Sequence, residues 1–346
     1  MSERGVLVDP DALRAALLRR FSHRIVGSGE FVFAAVPALV DHYLQVLEHT
    51  ASALGRPFSD GRENLRRLLL EKLEWASRRS SSSTVHVRYA TSQPPNLGID
   101  WTVSANELIL EDQYRDWPRT HEPPLFGTHP DARLMDLAHG LGPSESTSCL
   151  DVGAGTGRNT LALAREGFPT DALEPSAALA DELEAAIRRE GLSSRVIRAD
   201  FLASRLDLPR TRYRLVVLSG VCPHFRDVEM LAHMFRRLAG VLEPGGIALL
   251  NAFVAADGYS PDPVVRQVSE VAWSRAFTRE EIARAVTGLP LTLVSDEQVL
   301  GYERARLPQW PPTAGYEGWS SGRDIFELAE GESPIELRWL TYRRDA

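Results

Sequence analysis

Apolar positions recur along this chain with two periods, and the change from one to the other divides it. Up to about residue 80 the spacing is helical. Asp9-Pro-Asp-Ala-Leu-Arg opens a first helix with an acidic, proline-containing start. Residues 30–54 form a long apolar helical stretch that Pro37 breaks or kinks. A third helix after Phe58 carries Leu65, Leu68, Leu69, Leu73 and Ala76 on one stripe, and the polar run Arg78-Arg-Ser-Ser-Ser-Ser83 ends it in a hinge or loop. Residues 84–89 and 98–103 alternate, which predicts two strands of a small sheet, and residues 104–119 read as a connector.

Beyond that point short apolar runs alternate with helical stretches. Strands are predicted at 149–152, 168–174, 195–198, 213–218, 247–253, 291–300 and 336–342. Between them, 177–190 repeats Leu179, Leu183 and Ile187 on one helical face, and 263–274 reads as a further helix. Thr278-Arg-Glu-Glu281 matches a capping box at the start of another. Residues 307–324, rich in proline and glycine with Trp310, Tyr316 and Trp319, read as a long loop that walls a pocket, contacts a second copy or plugs the structure. The pattern is that of an α/β protein: a seven-stranded doubly wound sheet over 121–346, preceded by a mostly helical accessory domain over 1–120 with a small β piece.

The chemistry concentrates after the first of those strands. Cys149-Leu-Asp-Val-Gly-Ala-Gly-Thr-Gly-Arg-Asn-Thr160 is a buried-strand run ending in an acid, then glycine at every second position, then a helix. Absent side chains at Gly153, Gly155 and Gly157 let the backbone turn sharply and let a ligand approach it. A dinucleotide fingerprint wants its third glycine where Arg158 stands, so an NAD-type oxidoreductase is disfavoured. Glu174 ends the next strand 17 positions past Gly157, near the spacing at which an acid meets a ribose. A carboxylate suits that place because it accepts from both ribose hydroxyls.

The acid-first loop Asp151-x-Gly-x-Gly-x-Gly resembles motif I of the class I S-adenosylmethionine-dependent methyltransferases. The strand-end acids Glu174 and Asp200 and the Leu242-Glu-Pro-Gly-Gly246 turn are similar to later motifs of that family, and the resemblance spans roughly 125–346. It implies the seven-stranded sheet of that family, with its last strand antiparallel, and S-adenosylmethionine as cofactor. The implied cofactor-binding residues are Tyr114, Asp151, Gly153, Ala154, Gly155, Gly157, Glu174, Pro175, Asp200, Phe201 and Ser219. Among these, the acid at Asp200 would contact the adenine amino group. Tyr114 and Trp117 resemble aromatics that fold over the cofactor, or else pack on the core. Arg115 or Arg119 would meet its carboxylate. His224, in the loop after the fourth strand, is the candidate catalytic base, or alternatively a helix cap or a packing residue. The implied activity is methyl transfer to a small-molecule or peptide acceptor, in the manner of specialised metabolism. A module that binds the cofactor without turnover is the alternative. Nothing in the residues fixes the acceptor atom, though the exocyclic-amine motif of DNA methyltransferases is absent after the fourth strand.

Composition narrows the partners. With 39 Lys and Arg against 47 Asp and Glu, the net charge of −8 argues against nucleic acid as substrate. Two cysteines are too few for a disulfide scaffold or a thiolate zinc site, and the other histidines show no metal-ligand spacing. No apolar run reaches membrane-spanning length and no signal-peptide core is evident, which predicts a cytoplasmic protein without a membrane partner. The aromatic segment 307–324 leaves room for a homodimer contact.

Overall fold

The computed structural model describes residues 8–21, 25–56, 58, 61–92, 98–109, 112, 114–115, 126–329 and 331–346. It divides into two compact units, one ending at Glu107 and the other beginning at Leu108.

The first unit carries α1 (Pro10–Phe21), β1 (Ser28–Ala34), α2 (Val40–Ala53), α3 (Arg62–Arg79), β2 (Thr84–Thr91) and β3 (Ile99–Asn106). The strands pair antiparallel in the order β1-β2-β3. Both strands expected near residues 84 and 98 are present. The expected helix over 30–54 is not continuous: its first part is β1, and only Val40–Ala53 is helical. The strand wins because Phe33, Val85 and Val87 share a core with Leu44, Leu47, Leu69 and Leu73. Only an extended backbone sends Phe33 inward while Val32, 56% accessible, points to water.

The second unit holds α4 (Ala132–Gly140), β4 (Cys149–Val152), α5 (Arg158–Arg165), β5 (Thr170–Leu173), α6 (Ala177–Glu190), β6 (Arg195–Ile197) and β7 (Tyr213–Leu218). It continues with α7 (Val228–Val241), β8 (Leu242–Ala255), α8 (Pro263–Val271), β9 (Ala276–Phe277), α9 (Arg279–Val286), β10 (Leu291–Gln298), α10 (Val299–Arg304), α11 (Tyr316–Ser320), α12 (Arg323–Phe326) and β11 (Ile335–Arg344). The sheet order is β10-β11-β8-β7-β4-β5-β6, with the two-residue β9 added beside β8. Strands β4 to β8 run parallel, and β11 is antiparallel to both of its neighbours. This is the seven-stranded arrangement expected, with β9 as an extra short strand. The predicted helix over 263–274 stops at Val271, and residues 307–324 are not all loop, since α11 lies within them.

Both faces of the central strands β4, β7 and β8 are covered, so these are mostly apolar runs rather than alternating ones. In β8, Ala248, Leu250, Ala252 and Val254 face one core with Phe235 and Leu238 of α7. Their neighbours along the strand, Ile247, Leu249 and Phe253, face the other with Leu134, Leu163 and Trp339. Burying one such side chain is worth about 1.5–3 kcal/mol, which makes the sheet a rigid base for whatever its edge carries. The chain runs β4, β5, β6 outward on one side, then crosses back to place β7 against the other side of β4. That reversal opens a crevice at the carboxyl ends of β4 and β7, the place where open α/β sheets bind ligands.

Candidate active site

The glycine loop is fixed by its own backbone. The Gly153 and Ala154 amides donate to the Leu173 carbonyl at 2.7 and 3.1 Å, which ties the loop to the end of β5. All three glycines have positive φ (71°, 56° and 98°), a region costly to residues with a Cβ. Space adds a second reason. A Cβ on Gly153 would lie 2.6 Å from Val221, and one on Gly157 would lie 2.3 Å from Leu183. Gly157, the N-cap of α5, is therefore required by packing alone.

Asp151, at the base of the loop, is buried and accepts from the Thr160 hydroxyl at 2.6 Å. Burial pushes its carboxyl up to about 6, against the pull of that hydrogen bond. Glu174 follows β5 and is also buried. One of its oxygens accepts from the Gly155 amide and the other from the Ser176 amide, both at 2.8 Å. These bonds aim the carboxylate at the end of β5. Pro175 bridges Glu174 and Ser176, whose dihedrals make it the N-cap of α6. Asp200 follows β6 at the same edge of the sheet, exposed, with one oxygen accepting from the Leu202 amide at 2.8 Å. Phe201 turns the other way, into the core, with the Arg237 guanidinium 5.3 Å from its ring centre.

Across the crevice, Ser219 and Gly220 follow β7. The Gly220 amide donates to Asn251 Oδ1 at 2.7 Å, so a buried amide in mid-β8 sets that turn. A polar residue inside the apolar run Leu249-Leu-Asn-Ala-Phe253 was the sequence signal for it. Arg158, read above only as the wrong residue for a dinucleotide loop, is an anchor. It donates to Asp131 at 2.7 Å, to the His129 carbonyl at 3.1 Å and to Ser219 Oγ at 3.5 Å. Asp131 in turn accepts from Asn159 Nδ2 at 2.8 Å.

His224 ends a short 3-10 turn, Cys222–His224, at the same edge. It is only partly accessible, and desolvation lowers its pKa to about 4. Its Nε2 lies 3.5 Å from the Tyr114 hydroxyl, a marginal hydrogen-bond distance. Tyr114 meets Phe126 edge-on at 6.5 Å, and a Cβ on Gly155 would lie 3.2 Å from the Phe126 ring. Burial, then the nearby Glu174 charge, raise the Tyr114 phenol well above its ordinary value. So Tyr114 stands near Glu174 on one side and His224 on the other. Arg115 is exposed and paired with Asp112 at 2.5 Å. Trp117 and Arg119 lie outside the described residues.

Phe126, Asn251 and Trp273 were not anticipated. The Trp273 ring sits 5.4 Å from that of His224. Among the described residues no group of three or more His, Cys, Asp or Glu is placed to hold a metal ion, and no helix is long and apolar enough to cross a membrane.

An open parallel sheet with a glycine loop after its first strand and acids at the ends of the next two presents these groups at the edge where open α/β sheets take ligands. Its donor set fits an adenosyl ligand: an aimed carboxylate for a diol, a second for an amine, and aromatic surface beside them. Residues 149–246 match the family model described as a methyltransferase domain. That stretch holds the glycine loop, both strand-end acids and the Pro-Gly-Gly turn, and over it the chain is similar to methyltransferase domains, the enzymes that use S-adenosylmethionine. Among solved structures, geranyl diphosphate C-methyltransferase from Streptomyces coelicolor A3(2) aligns at 18% identity over 62% of this chain and 80% of that one, with a TM-score of 0.47. The [4+2]-cyclase SpnF aligns at 19% identity over 62% and 80%, with a TM-score of 0.46. A comparison with curated proteins finds no match.

Proposed function

We propose that the crevice binds S-adenosylmethionine along the glycine loop and presents its methyl group toward His224, where a small-molecule acceptor is methylated. The observation that carries this reading is the Tyr114 side chain, which stands near the aimed Glu174 carboxylate and reaches His224. In this reading Glu174 takes the ribose hydroxyls, and Asp200 takes the adenine amine with its free oxygen. Gly153, Ala154, Gly155, Pro175 and Ser219 line the adenosyl path, and Asp151 supports the loop from below. When bound, the cofactor supplies an electrophilic methyl group on a sulfonium.

What remains for the protein is position, desolvation and handling of a proton. A histidine with a pKa of about 4 is neutral across the physiological range, and it is a weak base there. Its service is to accept a hydrogen bond from the acceptor's O–H or N–H, orient the lone pair toward the methyl group, and take the proton late as the new bond forms. We also take the acceptor to be handled in the cytoplasm, with a short peptide or a homodimeric assembly as variants of the same reading. Methyl transfer from labelled S-adenosylmethionine across a small-molecule panel tests it. A labelled product lost in His224→Ala at unchanged cofactor affinity is expected. Cofactor binding with no product across the panel would favour a module that binds without turnover.

A further inference from the structure

Trp273 is the least comfortable residue at this edge. Its φ of 50° lies in the left-handed region, which glycine and asparagine tolerate and a bulky side chain does not. Such a conformation costs about 1–3 kcal/mol and persists only where the surroundings over-determine it. Here they do. The Trp273 amide donates to the Glu270 carbonyl at 3.2 Å, and the next amide, of Ser274, donates to the Ser269 carbonyl at 2.7 Å. Trp319 Nε1 donates to the Trp273 carbonyl at 3.0 Å, and Trp319 is itself seated edge-on against Phe253 at 5.3 Å. The Arg275 amide reaches the Pro223 carbonyl at 3.4 Å, joining this segment to the turn that carries His224. Glycine would meet all these bonds without strain, so the indole has a use of its own.

Its neighbours suggest the use. Phe126, Tyr114, His224 and Trp273 form a row of rings that starts over the glycine loop and ends beyond His224. Tyr114, His224 and Trp273 each keep part of their surface accessible. Glu270 pairs with Arg226 at 3.2 Å and with Arg275 at 3.3 Å, which ties the turn that carries His224 to the segment that carries Trp273. A ring nitrogen of His224 beside the indole suits a hydroxyl carried on a planar acceptor.

We propose that Trp273 is the specificity-determining wall of the acceptor site: it stacks a planar aromatic acceptor whose hydroxyl points to His224. This rests on the methyltransferase reading above and deepens it. Offset stacking on one such ring is worth about 0.5–1.5 kcal/mol beyond the area it buries.

The test uses the full chain saturated with S-adenosylhomocysteine and calorimetric titration of 2-naphthol, of its saturated counterpart decahydro-2-naphthol, and of trimethylanilinium. The expected result is that 2-naphthol binds, that decahydro-2-naphthol binds at least tenfold more weakly, and that trimethylanilinium binds no better than the latter. Trp273→Gly should weaken 2-naphthol about tenfold or more while leaving S-adenosylhomocysteine affinity unchanged and the thermal midpoint equal or higher. A purely structural tryptophan would instead lower the midpoint. Trp273→Phe should retain most of the affinity, and Trp273→Asn, which tolerates the left-handed backbone, repeats the glycine result if that variant folds poorly. Equal 2-naphthol binding in Trp273→Gly, preference for trimethylanilinium, or no 2-naphthol binding to the loaded wild type overturns the proposal. Failure of the wild type to bind S-adenosylhomocysteine at all overturns the underlying reading instead.

Discussion

The two sides of the crevice are built on different principles. On the β4–β5–β6 side, position comes from backbone: positive-φ glycines, amides given to the Leu173 carbonyl, and a glutamate aimed by two more amides. On the β7–β8–β9 side it comes from side chains gathered from distant segments, namely Tyr114, His224, Asn251, Trp273 and Trp319, beside the buried Arg275 and its partner Glu270. The first construction serves a ligand that never changes, since backbone geometry resists substitution. The second leaves the acceptor wall open to revision one side chain at a time. The contrast is the familiar one between a common cofactor and a private substrate, here expressed in which atoms do the holding.

Perturbations should therefore divide cleanly. The largest effect falls on the cofactor side: Glu174→Ala removes the proposed acceptor of two ribose hydroxyls and strands the Gly155 and Ser176 amides, so S-adenosylhomocysteine affinity should fall by at least about 100-fold in calorimetry. Next, Glu270→Ala removes the carboxylate that Arg226 and the buried Arg275 share. Denaturant unfolding should lose about 3 kcal/mol, and what folded protein remains should bind S-adenosylhomocysteine as the wild type does. If that affinity falls in parallel, the two sides are not independent.

Protonation sharpens the same contrast, because the two sides titrate with opposite sign. Between pH 6.5 and about 4 the unfolded chain binds a proton at His224 that the folded chain refuses, so this residue lowers stability as pH falls through that window. Asp151 works the other way. Its folded pKa of about 6 means that its stabilising contribution is present below about pH 4 and is lost as pH rises to 6. His224→Gln should raise stability near pH 4 by about 2 kcal/mol, after discounting for the accessible edge of the ring, and change little above pH 7. The smallest effect is expected from Thr160→Val. It removes one hydrogen bond, costs about 1 kcal/mol, and shifts the Asp151 titration further upward, visible in its carboxyl carbon resonance by NMR.

The same division governed what the sequence disclosed. The glycine loop, the acid at Glu174, the Thr278–Glu281 capping box and the order of strands were legible because each is decided within a few residues. The capping box forms as its spacing requires, with the Thr278 and Glu281 side chains each accepting from the other residue's backbone. Strand β1 was hidden because its apolar residues run on without a break into the helix after Pro37. Its pairing partner β2 lies some fifty positions further along the chain. Trp273 was hidden for a stronger reason. Its left-handed φ is imposed by hydrogen bonds from Trp319 and to Glu270, and no local pattern announces a tryptophan in a conformation that suits glycine. Phe126 and Tyr114 meet the loop only through the tertiary fold.

The central claim is that the aimed carboxylate of Glu174 holds the cofactor. Calorimetric titration of S-adenosylmethionine, S-adenosylhomocysteine and NAD into the wild type and Glu174→Ala tests it most directly. The account predicts binding of both adenosyl sulfur ligands to the wild type, loss of that binding in the variant, and no binding of NAD. Binding of NAD alone, or undiminished binding of S-adenosylhomocysteine by a folded Glu174→Ala protein, would contradict it.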